Sequence, residues 1–269
     1  MYKRIIFFIL ITLTVISINT EAKLIINSSL CQKYEVSHNE IIDGKITVKN
    51  SSDQSIKVRL YKRDYTFNAD GENYYKKPGS HSRSNTDWIN LYQRKITLKA
   101  NQTKTIGYQV KVPKTSKING TYWSMIMVEE YGTKRANQVT GDKIAVNQNI
   151  RYGIQVITDF NNIRDVRLDY QNPMFKEIQE NRYIFEVDVF NKGVTSLKAD
   201  IKLLLLNNKS GEILAEVKLK PRRIYPDTSI NVSKEFKLIN NKKYKLILIM
   251  GNEDKGFFGK EYLFNINDD

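Results

Sequence analysis

The chain is predicted to be all-β, with two tandem immunoglobulin-like β-sandwich domains behind an N-terminal export signal, and three observations carry that prediction. Apolar residues recur at every second position in segment after segment, the periodicity of a strand with one buried face. These segments are separated by turn clusters rich in Asn, Ser, Asp and Gly, such as Asn68-Ala69-Asp70-Gly71, Asn191-Lys192-Gly193 and Asn207-Asn208-Lys209-Ser210-Gly211. No segment longer than about ten residues keeps a clean helical spacing.

Taken in order, residues 1–22 read as a signal peptide. Lys3 and Arg4 supply its positive end, Ile5 to Ile18 an apolar stretch too short to span a bilayer, and Thr20-Glu21-Ala22 a cleavage site. The exported chain is then expected to begin near Lys23 with no membrane span, and to reside in the periplasm or outside the cell.

Strands are predicted over 45–49, 56–61, 94–98, 105–112, 122–129 and 143–157. The last is the clearest: Ile144, Val146, Ile150, Tyr152, Ile154 and Val156 alternate, with only Gln148 interrupting. Residues 159–180 break the pattern with Asn161-Asn162 and Asn172-Pro173, which places a linker near Phe160-Asn161-Asn162. Further strands are predicted over 183–190, 199–206, 212–219, 230–238, 244–250 and 261–266. This is more than one small sandwich holds, so the expected division is one domain over 23–158 and a second over 163–269. Gly120-x-Tyr122 places a tyrosine near the start of a late strand of the first domain, where sandwiches often tie down a corner, and Tyr244 is its counterpart in the second.

Charge and chemistry narrow the function. The 269 residues carry 43 Lys and Arg against 29 Asp and Glu, a formal charge of +14. Removing Lys3, Arg4 and Glu21 leaves 41 against 28, or +13. That balance favours anionic partners, among them an anionic envelope polymer, and export argues against nucleic acid. Cys31 is the only cysteine, so no intramolecular disulfide forms. His38 and His81 have no second His or Cys at ligand spacing and are read as solvated. No phosphate-cradling Gly-rich loop, serine elbow or calcium loop is present. The expectation is a binding protein, with no catalytic residues, metal or cofactor.

A set of segments in the first half resembles the N-terminal domain of the PapD-like periplasmic pilus chaperones. The matching residues are Ile46-Thr47-Val48-Lys49-Asn50, Trp88-Ile89, 96–103, Val110-Lys111-Val112-Pro113, 120–128 and 144–152, in the family's order. The second half fits only as a generic immunoglobulin-like domain. The resemblance implies strand donation: the last strand of the first domain lends its edge to an exported, pilin-like subunit. The partner-binding residues it implies are Ile144, Val146, Gln148, Ile150 and Arg151, together with Lys33 on the first strand. Arg151 takes the position of a basic residue that, with a first-strand arginine, holds the subunit's terminal carboxylate. Tyr34 falls at that arginine position, and Lys33 lies one residue away.

A different class of function is also open, a cell-surface structural or adhesion module. Tyr61-Lys62-Arg63-Asp64-Tyr65 with Tyr74-Tyr75-Lys76-Lys77 would bind polysaccharide or envelope proteins through aromatic faces and cations.

Overall fold

The computed structural model describes residues 23–132, 150–160, 164–238 and 242–266. The signal at 1–22 and the residues Ile144, Val146 and Gln148 lie outside this set, as do Asn161 and Asn162 of the linker.

The first sandwich contains β1 (Leu24–Ile26), β2 (Cys31–Glu35), β3 (Ile41–Asn50), β4 (Ile56–Phe67), β5 (Asn73–Lys76), β6 (Ile89–Leu91), β7 (Lys95–Leu98), β8 (Thr103–Lys111), β9 (Thr121–Glu130) and β10 (Arg151–Asp159). One sheet runs β1-β3-β8-β6 and the other β2-β10-β9-β4-β5, with β7 also paired to β4. The alternating apolar residues meet between them: Ile46, Val48, Val58, Leu60, Ile106, Tyr108, Ile126, Val128, Ile154 and Val156 form one buried cluster. Ile154 and Val156 therefore face the core as their spacing predicts, and the Tyr152 hydroxyl donates to the Leu24 carbonyl at 2.7 Å.

The second sandwich contains β11 (Leu168–Gln179), β12 (Arg182–Asn191), β13 (Leu197–Asn207), β14 (Ile213–Ile224), β15 (Ser229–Lys237), β16 (Lys242–Asn252) and β17 (Gly256–Ile266). The sheet β11-β12-β15 packs on β14-β13-β16-β17 around Phe185, Val187, Leu203, Leu205, Leu246 and Leu248. Strand β11 occupies part of what the sequence reads as a break. Asn172 adopts a positive φ of 50°, and the register with β12 shifts between Gln171 and Met174. Asn172-Pro173 is a bulge within one strand, which tolerates a residue without an N–H, and not its end.

The two sandwiches meet through a buried aromatic contact and an ion cluster around buried Asp159. Trp123 stacks on Tyr225 at 4.4 Å between centroids, 8° from parallel, and the Tyr225 hydroxyl donates to Gln155 Oε1 at 2.8 Å. Asp159, 0% exposed, lies 3.4 Å from both Lys33 on β2 and Lys255 between β16 and β17. The Thr121 hydroxyl donates to its other oxygen at 2.9 Å. Gly120 is required here: at φ 67° it sits where a Cβ would fall 2.1 Å from the Val194 carbonyl oxygen.

Candidate functional site

The outer face of the β10-β9-β4 sheet is ordered by register into rows that cross the three strands. Arg59 opposes Glu129, which opposes Arg151; then come Tyr61, Met127 and Gly153, and then Arg63, Met125 and Gln155. At the third position of the second row, Gly153, a Cβ would lie 2.8 Å from the Met125 sulfur, so a larger residue there would have to displace that side chain. Farther along β9 and β10, Trp123 opposes Ile157, and both are covered by the second sandwich, so Ile157 is buried on the face that alternation assigns to polar groups.

The charged row is a clamp. Arg151 Nε donates to Glu129 Oε2 at 2.5 Å, and Arg59 Nε donates to the other oxygen at 2.5 Å. Glu129 is 4% exposed while the two arginine side chains are about half exposed. Burial alone would raise the Glu129 pKa, but hydrogen bonds and charge from Arg151 and Arg59 outweigh it and hold the carboxyl below its ordinary range. Tyr61 lies between two guanidiniums, with Arg59 5.6 Å and Arg63 5.1 Å from its ring centroid.

Beside this face the β4 edge is notched. Strand β7 pairs with Ile56 to Arg59, and β5 pairs only from Asp64 onward. The Leu60 N–H still reaches the Arg94 carbonyl at 2.8 Å. Two residues on, the Lys62 N–H and C=O point the same way with no strand opposite among the described residues. Continuing the β4–β5 register puts Pro78 across from Lys62, and proline has no N–H with which to extend the ladder. The Lys62 ammonium turns inward, donating to the Thr86 and Ile89 carbonyls, and so leaves the edge uncovered. Burial lowers its pKa. The resulting groove of about 580 Å³ is lined by Arg59, Tyr61, Arg63, Arg94, Lys95 and Arg151, together with Leu60, Lys62, Pro78 and Leu91. Among the described residues, no carboxylate pairs with Arg63, Arg94 or Lys95.

The two sequence-derived clusters fare differently. Arg151 lies in this groove. Lys33 does not: it aligns with Ile157, six residues along β10 and about 20 Å away at strand rise, facing a cleft of about 210 Å³ with Glu35, Arg164, Asp254 and Lys255. The structure does not bring Arg151 and Lys33 together. Tyr34 donates to Gln32 and shares a hydrogen bond with Tyr108. Ile150, 38% exposed, immediately precedes β10. From Arg151 to Ile154 that strand pairs, among the described residues, with β9 alone, because β2 joins it at Gln155.

The aromatic and basic cluster is partly assembled. Tyr61 and Arg63 share the outer face, and Tyr65 stacks on Tyr75 at 5.4 Å. Asp64 is buried and accepts from the Ser84 hydroxyl at 2.6 Å and the Ser80 backbone N–H at 2.5 Å. His81, read from the sequence as solvated, is instead stacked on Trp123 at 4.4 Å with 15% of its side chain exposed. Tyr122 packs between Trp88 and Phe160. Among the described residues no group of three or more His, Cys, Asp or Glu is placed to hold a metal ion, and no helix is long and apolar enough to cross a membrane.

A family model described as "WxL Interacting Protein, peptidoglycan binding domain" matches residues 34–130, which include the notch and Glu129. No curated protein matches the chain in sequence. Similar solved structures include a chain of a chaperone–tip adhesin complex of CFA/I fimbriae biogenesis, 13% identical with a TM-score of 0.47 over 90% of this chain and 98% of that one. The class 5 fimbriae chaperone CfaA is 11% identical, with a TM-score of 0.46 over 89% of this chain and 98% of its own. The E. coli chaperone DraB is 12% identical, with a TM-score of 0.40 over 90% and 96%. Fimbrial chaperones, the group the first half resembles in sequence, are among the solved structures to which this chain is similar.

Proposed function

We propose that the chain is an exported cell-envelope binding protein whose first sandwich holds a peptidoglycan-type wall polymer in the Arg59–Arg151 groove. The observation that carries this reading is the groove itself: a concave surface with cations on its banks, a tyrosine held between two arginines and an open strand edge. The family match over 34–130 supports it. The second sandwich and the joint at Trp123 and Tyr225 hold that surface at a set angle to whatever the second sandwich engages. The chain works by binding and has no part in bond-making chemistry. Co-sedimentation with purified insoluble wall sacculi tests the reading. The protein should pellet with them in a salt-sensitive manner, and the Arg63→Glu, Arg94→Glu, Lys95→Glu triple variant should stay in solution. Wild type left in the supernatant at low salt would overturn it.

The edge of β10 at Arg151 to Ile154, unpaired on its β2 side among the described residues, favours a second reading, strand addition to an exported protein subunit; Ile150 adjoins that edge, and Ile144, Val146 and Gln148 lie outside the described residues. In this reading a partner captured from envelope extract is lost on Val146→Asp, whereas wall binding is retained.

A further inference from the structure

The groove holds two features that a sugar chain does not use. The first is charge. The repeating amino sugars of peptidoglycan are largely neutral, and the free carboxylates of that polymer sit on its short peptide branches. Six cationic residues line the groove, and Glu129 engages Arg59 and Arg151, with the Tyr61 hydroxyl beside it. Arg63, Arg94 and Lys95 are left to face a ligand, a set that gains little from a neutral glycan and much from carboxylates.

The second feature is backbone. Lys62 presents one N–H and one C=O in the orientation of a strand ladder, between the place where β7 stops and the place where Pro78 ends the pairing of β5. An extended peptide supplies the complementary C=O and N–H. A phosphodiester polymer supplies charge without amides, and a sugar chain supplies hydroxyls without the fixed spacing. The Lys62 side chain is tied down on the Thr86 and Ile89 carbonyls, so the edge stays open.

We propose that the notch beside Lys62 takes the carboxylate-bearing peptide of the wall polymer, and not its sugar backbone, an inference that rests on the wall-binding reading above. The peptide lies along β4 across the gap between β7 and β5. Its backbone pairs with Lys62, and its carboxylates reach Arg63 on one side and Arg94 and Lys95 on the other. Tyr61, fixed between Arg59 and Arg63, covers the aliphatic part of the branch.

Calorimetric titration separates the ligand classes. The probes are a soluble disaccharide–peptide wall fragment, the same disaccharide with its peptide removed and the lactyl carboxyl thereby exposed capped as an amide, the free peptide, and poly(glycerol phosphate). The disaccharide–peptide and the free peptide should bind with similar affinity, and the bare disaccharide at least about tenfold more weakly. Arg63→Glu and Arg94→Glu should each weaken peptide binding by about tenfold without shifting the melting temperature. The Lys62 amide should gain protection from hydrogen exchange with either peptide-bearing probe and with neither of the others. If the bare disaccharide binds as well as the fragment, or if poly(glycerol phosphate) binds and the free peptide does not, the inference is overturned while wall binding stands. If intact sacculi are not bound either, both fall.

Discussion

Replacing Glu129 with Gln should weaken the fold and strengthen wall binding at the same time. The carboxylate accepts from both Arg59 and Arg151, at the centre of a row of three strands. The arginine side chains are 49% and 54% exposed, so each ion pair is screened and contributes about 0.5–1 kcal/mol, together about 1–2 kcal/mol. For a chain of this size the midpoint should fall by about 2–8 °C. The same substitution releases two guanidiniums and removes one negative charge beside the groove. At a separation of about 6 Å in a water-like dielectric that charge opposes an anionic ligand by about 0.7 kcal/mol, so affinity should rise about threefold. The sign with pH follows from the lowered carboxyl pKa. The folded value lies below the ordinary 4.5, so the contribution is fully present above that pH and is lost as pH falls through the folded value. Thermal melts from pH 7 to 3, with calorimetric titration of the peptide-bearing fragment at pH 7, measure both effects. A variant that keeps its midpoint and binds more weakly would refute the reasoning, because Glu129 would then be accepting hydroxyls from the ligand and not clamping two arginines.

Other consequences concern the joint and the core. His81 is pushed below its ordinary 6.5 by burial, against the pull of Asp64, so its contribution is complete above that value and declines as pH falls through the window below it. His81→Phe, which retains a ring on Trp123, should flatten the fall in melting temperature between pH 7 and 5; an unchanged slope would assign it to other groups. Tyr225→Phe leaves Gln155 Oε1 without its donor and should cost about 1 kcal/mol, whereas Tyr225→Ala also opens the stack and should cost about 3–5 kcal/mol. Urea denaturation measures both, and equal losses would show that the ring contact is not what joins the sandwiches. The Tyr262 hydroxyl is buried without a hydrogen-bond partner among the described residues, and burial pushes its pKa up to about 12. Tyr262→Phe should therefore hold or raise the melting temperature, and a clear drop would contradict that environment.

What the sequence made legible follows from local periodicity, and what it hid depends on register. The alternation of Tyr152, Ile154 and Val156 places them on the core side, and Asn68-Ala69-Asp70-Gly71 falls between β4 and β5. Ile157 and Trp123 depart from one-sided alternation because the second sandwich covers that end of the sheet, a contact between segments far apart in the chain. Strand β11 was obscured by Asn172-Pro173, since a bulge and a turn use the same residues. Arg151 stood out on its own, but its row with Glu129 and Arg59 exists only once three distant strands are aligned. The same holds for the notch: Pro78 reads as a loop residue until the β4–β5 register sets it opposite Lys62. Tyr61 and Arg63 were legible as a basic aromatic pair, while the inward turn of Lys62 and the burial of Asp64 required the fold.

The most direct test is to map the wall-contacting surface by backbone amide shifts in isotope-labelled protein titrated with soluble disaccharide–peptide fragment. Shifts concentrated on Arg59 to Arg63, Arg94, Lys95 and Arg151, with the largest at Lys62, are the predicted result. Shifts confined to the second sandwich, or to the cleft at Lys33 and Lys255, would contradict the assignment of wall binding to the β4 notch.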